Sequence, residues 1–591
     1  MTTIFLYPAL VISLLVFIYF LPAIALFPRF IQSPLTAATI PFISMSLVVS
    51  IQYILSLAGQ FNNQNVIIFV GFLSLLGLYR IYKTRFELRN NWTVLDCKSL
   101  LLITFSSIPL MIFLGFDGFQ HADEIYSWNI WAKKIYLNQV ILFESTGSPY
   151  PLLLPSFIAF CYQFFGNMDY QLPIKFTFSI IYISTIFIVF TFANTKIKVG
   201  IFFLSFITII LIIGIGYEYK KVYADTLMGG FLIASLALLL SLSKEISHTK
   251  NNVPSSSLLI ASIILISAAA LTKQGAMLWT MVFFPLLANA IILKNPSLNN
   301  SLRLILSVPI LTPLLWYFIG GKNFQGNNGV ISRSMEDRGY IEQLFYGFNF
   351  SFINNPMIFI LIVIVFIVLL KKITLEKSIL AIGIILSTIL LFLFGAYETT
   401  RLYLHVILIS WLIIFTYGDL VLNSKIGHFL SKVGNSIFTY ILIGSLFIFW
   451  SISSFNARLI GVDSVSNLLD GREVQVNWVI GKSGAEQYRK IVNSQKGLWA
   501  RDDHVWGIYY GMNNFSRGLL ESADTQIIMQ KIIQSDIGWI YSQEWHIPEI
   551  KKIQDICEGS IIEIDTIDNL YKQTLFKVST ELVANCTKSL K

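Results

Sequence analysis

Runs of about twenty consecutive apolar residues recur along most of this chain, and an α-helix needs about that length to cross a bilayer. The sequence has 591 residues, of which 55% are hydrophobic and 13% are charged, and its mean hydropathy is +0.68. These values lie far from those of a soluble globular domain. The sequence therefore predicts a mainly α-helical bundle that crosses the membrane many times.

About fourteen segments have the length and composition of membrane spans. They lie at approximately 4–27, 35–58, 66–82, 99–115, 172–193, 199–216, 224–242, 257–272, 276–293, 302–319, 356–370, 378–394, 402–422 and 437–455. The first run is longer than the core of a signal peptide and has no basic residue before it, so we expect it to stay in the protein as a span.

Basic residues indicate how the chain is oriented. The net charge is +9, but Lys and Arg lie mostly in every second loop between apolar runs, which argues against nucleic-acid binding. The positive-inside rule places those loops in the cytoplasm. Both ends of the sequence, and the first large loop at 116–171, are then predicted to face outward.

Three parts follow from this organisation. Residues 1–98 hold extra N-terminal helices, residues 99–455 form a transmembrane module with the outer loop 116–171, and residues 456–591 are predicted to be a small α/β domain outside the membrane. Within the loop, Pro151–Phe165 is too short for a span, and we expect an amphipathic helix at the outer membrane surface. The four cysteines exclude a cysteine metal cluster, and at most one bridge, Cys557–Cys586, is plausible.

One outer-loop stretch, from Gly115 to Tyr136, gathers charges that are scarce elsewhere. It contains the adjacent acids Asp123 and Glu124, followed by Trp, Lys and Tyr residues at helical spacing. A structural interpretation is that Asp123 caps a helix and that the aromatic side chains anchor it at the membrane interface.

Further charged residues are predicted near the same outer face. They are Asp225 at the start of a span, Lys273 in a tight turn between two helices, and Arg401 and His405 four residues apart on one helix. A charge within the hydrocarbon costs about 2.5–3.5 kcal/mol on the insertion scale, so such residues usually face a cavity and mark function. Snorkelling of the long side chains to the surface is the alternative.

Acids and cations together suit the displacement of a phosphate leaving group at a membrane surface. A carboxylate can deprotonate an attacking hydroxyl or hold a divalent cation, and Lys or Arg can neutralise the departing phosphate. The sequence contains no P-loop, dinucleotide-binding Gly-rich turn, zinc-protease helix or serine-hydrolase elbow.

Several short motifs resemble those of the C-type (GT-C) integral-membrane glycosyltransferases, in particular bacterial relatives of the protein mannosyltransferases and of the lipid A aminoarabinose transferase. The resemblance covers roughly residues 99–420. The motifs are Asp123-Glu124 at the start of an outer-loop helix, Tyr150-Pro-Leu-Leu-Leu-Pro155, Tyr223-Ala-Asp225 and Ala270-Leu-Thr-Lys273.

The resemblance implies a sugar donor carried on a polyprenyl phosphate and transfer on the outer face with inversion at the anomeric carbon. It implies that Asp123 is the first-loop catalytic or metal-holding acid, that Glu124 is its partner, and that Asp225 matches the second outer-loop acid. The three acids are the candidate catalytic residues. Asp123 and Asp225 are the candidates for holding a divalent metal ion (Mg, Mn or Zn), and no other cofactor is expected.

The remaining candidates concern substrate binding. Lys273, Arg401 and His405 are assigned to the donor phosphate, and Lys133, Lys134, Tyr150 and Tyr223 to the substrates. Two features depart from the family. Many relatives have an acid in the turn where this chain has Gln274-Gly275, and three spans precede the usual first span.

The sequence thus predicts a multi-pass glycosyltransferase of the bacterial inner membrane that acts on a glycan, glycolipid or protein acceptor of the cell envelope. An O-antigen-type polymerase or ligase with a lipid diphosphate donor is one alternative. A lipid-linked sugar flippase or transporter is another, but its polar groups are expected near mid-membrane.

Overall fold

The computed structural model describes residues 16–87, 98–115, 119, 128–140, 151–168, 171–192, 223–243, 254–294, 300–320, 339–354, 356–370, 373–393, 403–417, 497–500, 515–516, 525–534, 536–543, 547–567 and 573–589. The chain divides into two compact units. The helical unit comprises Met1–Phe116, Gln139–Gly166 and Leu172–Val462. The mixed unit comprises Asp117–Asn138, Asn167–Gln171 and Asp463–Lys591.

Helices dominate the part of the chain before residue 418. They are α1 (Leu21–Leu26), α2 (Pro34–Leu57), α3 (Asn63–Glu87), α4 (Lys98–Gly115), α5 (Ile130–Asn138), α6 (Leu153–Phe165), α7 (Leu172–Thr191), α8 (Ala224–Leu240), α9 (Ser255–Thr272), α10 (Phe284–Lys294), α11 (Ser307–Gly320), α12 (Tyr340–Asn354), α13 (Pro356–Leu370), α14 (Leu375–Leu393) and α15 (Leu404–Tyr417). Of these, α5 belongs to the mixed unit and the others to the helical unit.

Within the described ranges, five helical segments are long and apolar enough to cross a membrane. They are Pro34–Leu57, Asn63–Thr84, Ser255–Thr272, Gln274–Lys294 and Leu375–Leu393. The predicted spans 199–216 and 437–455 lie outside the described residues, and each of the others overlaps a described helix. Membrane crossing by the shorter helices stays a prediction.

Helix α6 differs from the amphipathic surface helix that we expected for Pro151–Phe165. The segment is helical, but every residue from Leu153 to Gln163 is buried, and α6 packs against α2 and α3. The physical reason is that apolar residues occupy all sides of α6, so it has no broad polar face to present to water. Its end is fixed by Gln163, whose side-chain amide donates to the Phe61 carbonyl at 3.2 Å.

The centre of the helical unit is α8, in which every residue is buried. It packs against α7, α9 and α15. Two serines join α8 to α9 near their middles, because the Ser235 hydroxyl donates to the Ser262 carbonyl at 2.7 Å and the Ser262 hydroxyl donates to the Ser235 carbonyl at 2.8 Å. This reciprocal pair satisfies both hydroxyls inside the packed helices and fixes the register of α8 against α9.

The described C-terminal part of the mixed unit combines a sheet with helices. Its elements are β1 (Gly497–Ala500), β2 (Phe515–Ser516), α16 (Thr525–Gln534), β3 (Ile537–Gln543), α17 (Ile547–Ile556), β4 (Ile561–Ile567), β5 (Gln573–Val578) and α18 (Thr580–Ser589). The strand order is β2-β1-β3-β5-β4, with β1 parallel to β2 and β3, and β5 antiparallel to β3 and β4. Side chains such as Ile532, Ile553 and Phe576 form its core. This part is therefore α/β, and its location outside the membrane stays a prediction.

A disulfide bond joins Cys557, just after α17, to Cys586 in α18. The two cysteines are 29 residues apart in sequence, and their Cα atoms are 5.7 Å apart. The bridge that the sequence made plausible is thus present. Cys161 is a buried free thiol in the helical unit.

We expect the double variant Cys557→Ser/Cys586→Ser to destabilise the C-terminal part of the mixed unit by about 3–4 kcal/mol. The estimate is the loop-closure entropy that the bridge removes from the unfolded chain. Limited proteolysis of the full chain against temperature would measure the loss, and Cys161→Ser, in the other unit, serves as the control. Identical proteolysis midpoints for the double variant and the wild-type protein would contradict the prediction.

Candidate functional site

A buried ion pair lies at one end of the helical unit. The Lys273 ammonium donates to both carboxylate oxygens of Asp225, at 2.7 Å each. The Asp225 side chain is 5% exposed and that of Lys273 is 18% exposed. Lysine is therefore the outer member of the pair, and it covers the carboxylate behind it.

Local backbone structure explains where these two charges stand. Tyr223 is extended (φ −105°, ψ 140°) and precedes α8, which places Asp225 in the first helical turn. Helix α9 ends at Thr272, and the extended residue after it is Lys273 (φ −158°, ψ 148°). An acid at a helix start and a base at a helix end both complement the helix dipoles. Each charge therefore lies at the helix end whose dipole favours it, and this placement does not depend on how the two helices pack.

Close packing brings two further segments to Asp225. Gly229 is one turn after Asp225 on the same face of α8, and a Cβ placed there would lie 3.2 Å from the Leu408 side chain of α15. A Cβ at Gly275, two residues after Lys273, would lie 3.2 Å from the Met228 sulfur. The absence of side chains at these glycines therefore lets α15 and the turn at Gln274–Ala276 approach α8 beside the ion pair.

Other predicted site residues of the helical unit lie near the same helix ends. Tyr223, directly before α8, is 2% exposed. His405, in the first turn of α15 and next to Leu404, is 4% exposed. A Cβ at Gly229 would lie 3.7 Å from Leu404, so the start of α15 packs against the first turns of α8. Arg401 and Tyr150 lie outside the described residues.

The predicted residues of the mixed unit lie on α5. Lys133 is fully buried there and Lys134 is half-buried. The Trp128 and Trp131 rings meet edge to face, with centroids 5.2 Å apart. Asp123 and Glu124 lie outside the described residues, so their predicted roles stay predictions.

Two polar residues of α7 did not enter the sequence interpretation. Lys175 is 3% exposed, and the Tyr182 hydroxyl lies 3.2 Å from the Thr226 hydroxyl, next to Asp225 in sequence. Lys175 is the one charged residue in the predicted span 172–193, and that isolation was the available signal. The contact between Tyr182 and Thr226 depends on how α7 packs against α8, and no sequence pattern predicts it.

A second charged cluster, formed by Lys294, Glu376 and Lys377, lies at the other end of α8, where several helix ends meet. Glu376, in the first turn of α14, is fully buried. Its carboxylate lies 3.1 Å from the Lys294 ammonium at the end of α10 and accepts a hydrogen bond from Ser243 at 3.2 Å. Its neighbour Lys377 lies over the Tyr417 ring, 4.9 Å from the centroid. The ends of α8, α10, α14 and α15 are thus linked by polar contacts.

The arrangement around Asp225 does not fit a metal ligand. Both carboxylate oxygens accept hydrogen bonds from Lys273, so a cation would have to displace an ammonium that already neutralises the acid. Across the described ranges, no three or more His, Cys, Asp or Glu side chains form a cluster that could hold a metal ion. The Asp225 carboxylate is therefore assigned to the ion pair and not to a metal ion.

Comparison with known proteins gives one structural likeness. This chain is similar to ArnT from Cupriavidus metallidurans in the apo state, with a TM-score of 0.45 and 12% sequence identity over 83% of this chain and 99% of that one. No protein-family profile matches the sequence, and no curated protein matches it. With similarity at this level, the function of this chain has to be argued from its own residues.

Proposed function

We propose that this chain is a glycosyltransferase of the bacterial inner membrane that takes a sugar from a polyprenyl-phosphate donor. The acceptor is a hydroxyl of an envelope glycan, glycolipid or protein, and transfer inverts the anomeric carbon. The proposal combines the motif resemblance of residues 99–420 with the geometry of the helical unit.

The observation that carries the proposal is the ion pair between Asp225 and Lys273. Burying an ionised group is costly unless a group of opposite charge lies next to it. In this pair each charge is the partner of the other. An ammonium has three N–H donors, and Lys273 uses two of them on Asp225. Lys273 is also the more exposed member of the pair, so its ammonium is the charge that a phosphate oxygen arriving from outside meets first. Asp225 then holds the ammonium in place as a positioning residue.

The reaction that fits is a single displacement at the anomeric carbon. The acceptor oxygen forms a bond to that carbon while the bond from carbon to the phosphate oxygen breaks, and the phosphate keeps the electron pair. The acceptor proton passes to a carboxylate acting as general base. Lys273 stabilises the charge that develops on the phosphate, which is the kind of contact that accelerates a reaction most.

The general base of this scheme is Asp123, with Glu124 as its partner, because the Lys273 ammonium covers the Asp225 carboxylate. Arg401 and His405 are assigned to the donor phosphate. Lys133, Lys134, Tyr150 and Tyr223 are assigned to substrate binding. These assignments rest on the motif resemblance.

The disulfide bond and the predicted orientation of the basic loops both support a reaction on the outer face of the membrane. Disulfides persist in oxidising compartments such as the bacterial periplasm, and Cys557 is bonded to Cys586 in the mixed unit. The loops that carry the basic residues are predicted on the opposite, cytoplasmic side. The alternative of a transporter expects charged groups in broken helices at mid-membrane, whereas Asp225 and Lys273 stand at helix ends.

The direct test measures transfer of radiolabelled sugar from a polyprenyl-phosphate donor in membranes that contain the protein. Asp225→Asn keeps the size of the side chain and removes its charge, and we expect transfer to fall about 100-fold because the Lys273 ammonium loses its fixed position. Glu342→Gln is the matched control, since Glu342 is an exposed acid in the first turn of α12. Full activity of Asp225→Asn at equal expression would remove the assignment of this pair. An absence of transfer by the wild-type protein with all polyprenyl-phosphate sugars would overturn the proposed function.

A further inference from the structure

Helix α7 carries a polar stripe that the proposed mechanism does not use. Lys175, Ser179 and Tyr182 are spaced by four and then three residues, so they lie on one face of the helix. Lys175 is 3% exposed and Ser179 is fully buried. The Ser179 hydroxyl finds no hydrogen-bond partner among the residues that the structure describes. A donor without a partner is costly in a packed interior, so this hydroxyl indicates a place where a ligand atom can be accommodated.

The Tyr182 end of the stripe faces α8 next to Asp225. The Tyr182 hydroxyl lies 3.2 Å from the Thr226 hydroxyl, and a Cβ at Gly230 would lie 3.2 Å from the hydroxyl of Thr185, one turn farther along α7. Thr226 directly follows Asp225 in sequence. The polar groups of α7 therefore reach α8 at the turn that holds Asp225.

The length of the stripe suits a group larger than a single hydroxyl. Seven residues separate Lys175 from Tyr182, which corresponds to about 10.5 Å along the helix axis. Lys175 lies in the first turn of α7, where the helix dipole adds positive potential. A lysine ammonium, a helix start and hydroxyl donors are the groups that bind phosphate oxygens.

We infer that Lys175, together with Ser179, binds a phosphate group of the lipid-linked donor, in addition to the contact that Lys273 makes. The inference rests on the proposed function and deepens it, since it adds a second cation to the same substrate. Lys273 is neutralised by Asp225 at close range, so a second cation helps to neutralise the phosphate, which carries one negative charge in the donor and two once its bond to the sugar has broken. Ser179 supplies a neutral donor one turn from Lys175, and Tyr182 and Thr226 bound the site on the side of Asp225.

The stripe distinguishes two sources of phosphate. A polyprenyl monophosphate has one phosphate, and on this inference both lysines contribute to its affinity. A polyprenyl diphosphate has a second phosphate, and Lys175 would then matter more for the diphosphate than for the monophosphate. Comparing the two lipids therefore identifies the donor class.

The test measures binding of undecaprenyl phosphate and undecaprenyl diphosphate to the purified full chain in lipid nanodiscs. We expect Lys175→Met to weaken binding of the preferred lipid by about tenfold or more, because a hydrogen bond to a charged group is lost. Lys175→Arg should keep affinity within about threefold, and Ser179→Ala should weaken binding by about three- to tenfold.

Two matched controls separate this effect from general damage. Lys98→Met removes a charge from an exposed lysine at the start of α4, and it should leave binding unchanged. Ser184→Ala removes another buried hydroxyl of α7; it lies nine residues from Lys175, about half a turn around the helix, and it should also leave binding unchanged.

The binding results test the role of Lys175 separately from the proposed glycosyltransferase function. Wild-type binding by folded Lys175→Met, or a loss no greater than in Lys98→Met, overturns the role of Lys175. If Lys175→Met does not fold, Ser179→Ala decides, and binding equal to that of Ser184→Ala overturns the site. A wild-type protein that binds neither lipid, and transfers no sugar from either, refutes the proposed function itself.

Discussion

Lys273→Met is expected to reduce sugar transfer by about 100- to 1,000-fold, which is the usual loss when one preorganised donor to a developing negative charge is removed. The physical reason is that Lys273 is the cation of the buried pair and its more exposed member. Lys273→Arg should recover part of the activity because it keeps the charge, but its planar, forked donor group cannot reproduce the geometry of an ammonium. The measurement is initial rate against donor concentration, so that effects on kcat and KM are separated.

The double variant Asp225→Asn/Lys273→Met separates folding from chemistry. Lys273→Met alone leaves a buried carboxylate without its partner, which costs about 3–5 kcal/mol, whereas the double variant has no such charge. We expect the double variant to melt at a higher temperature than Lys273→Met and to remain as inactive. Because the two residues act as one unit, the activity losses should not add. Activity that recovers together with stability would show that the pair serves the fold alone.

Lys294→Ala is expected to lower the free energy of unfolding of the helical unit by about 3 kcal/mol. Removing one partner of a buried pair costs about 3–5 kcal/mol, and the lower end applies because the Lys294 side chain is 47% exposed. Glu376, by contrast, is fully buried, so the variant leaves its carboxylate, among the residues that the structure describes, with the Ser243 hydrogen bond alone. Thermal unfolding in detergent, followed by tryptophan fluorescence, would measure the effect.

The same cluster predicts an asymmetry between its two partners. Glu376→Gln removes the buried charge and leaves an exposed lysine that water can solvate, so it should destabilise the unit less than Lys294→Ala does. Lys98→Ala, at an exposed position on α4, provides the reference for loss of a surface lysine. Equal stability of Lys294→Ala and Lys98→Ala would mean that the contact to Glu376 contributes nothing to folding.

Sequence reasoning located the charged helix ends well because charges are rare in apolar helices and basic loops indicate orientation. It brought Asp225 and Lys273 to the same side of the membrane, and their side chains meet in the structure. That Lys273 binds both carboxylate oxygens could not be predicted, because the contact depends on close packing at Gly229 and Gly275. The spacing of residues along one helix can be predicted from the sequence. The packing of two helices depends on side chains that are far apart in the chain, so it cannot.

The sequence-based expectation for α6 and the omission of Lys175 have similar physical causes. Helix α6 was expected at a surface because it is too short for a span, but short apolar helices can also be enclosed by longer ones, and Leu153–Gln163 are buried. A lone lysine near the end of an apolar run is usually a snorkelling residue, so the isolation of Lys175 in the sequence is a weak signal of function. Its burial and its alignment with Ser179 and Tyr182 became informative only when the position of α8 was known.

The reciprocal hydrogen bonds between Ser235 and Ser262 have a consequence for how this protein tolerates change in length. They hold α8 and α9 at a single relative offset, and Asp225 lies ten residues before Ser235 on the same helix. Insertion of one residue between these two positions would turn Asp225 by about 100° and move it by about 1.5 Å relative to α9. A one-residue insertion or deletion in this interval would therefore separate Asp225 from Lys273 while every side chain of the pair remained unaltered.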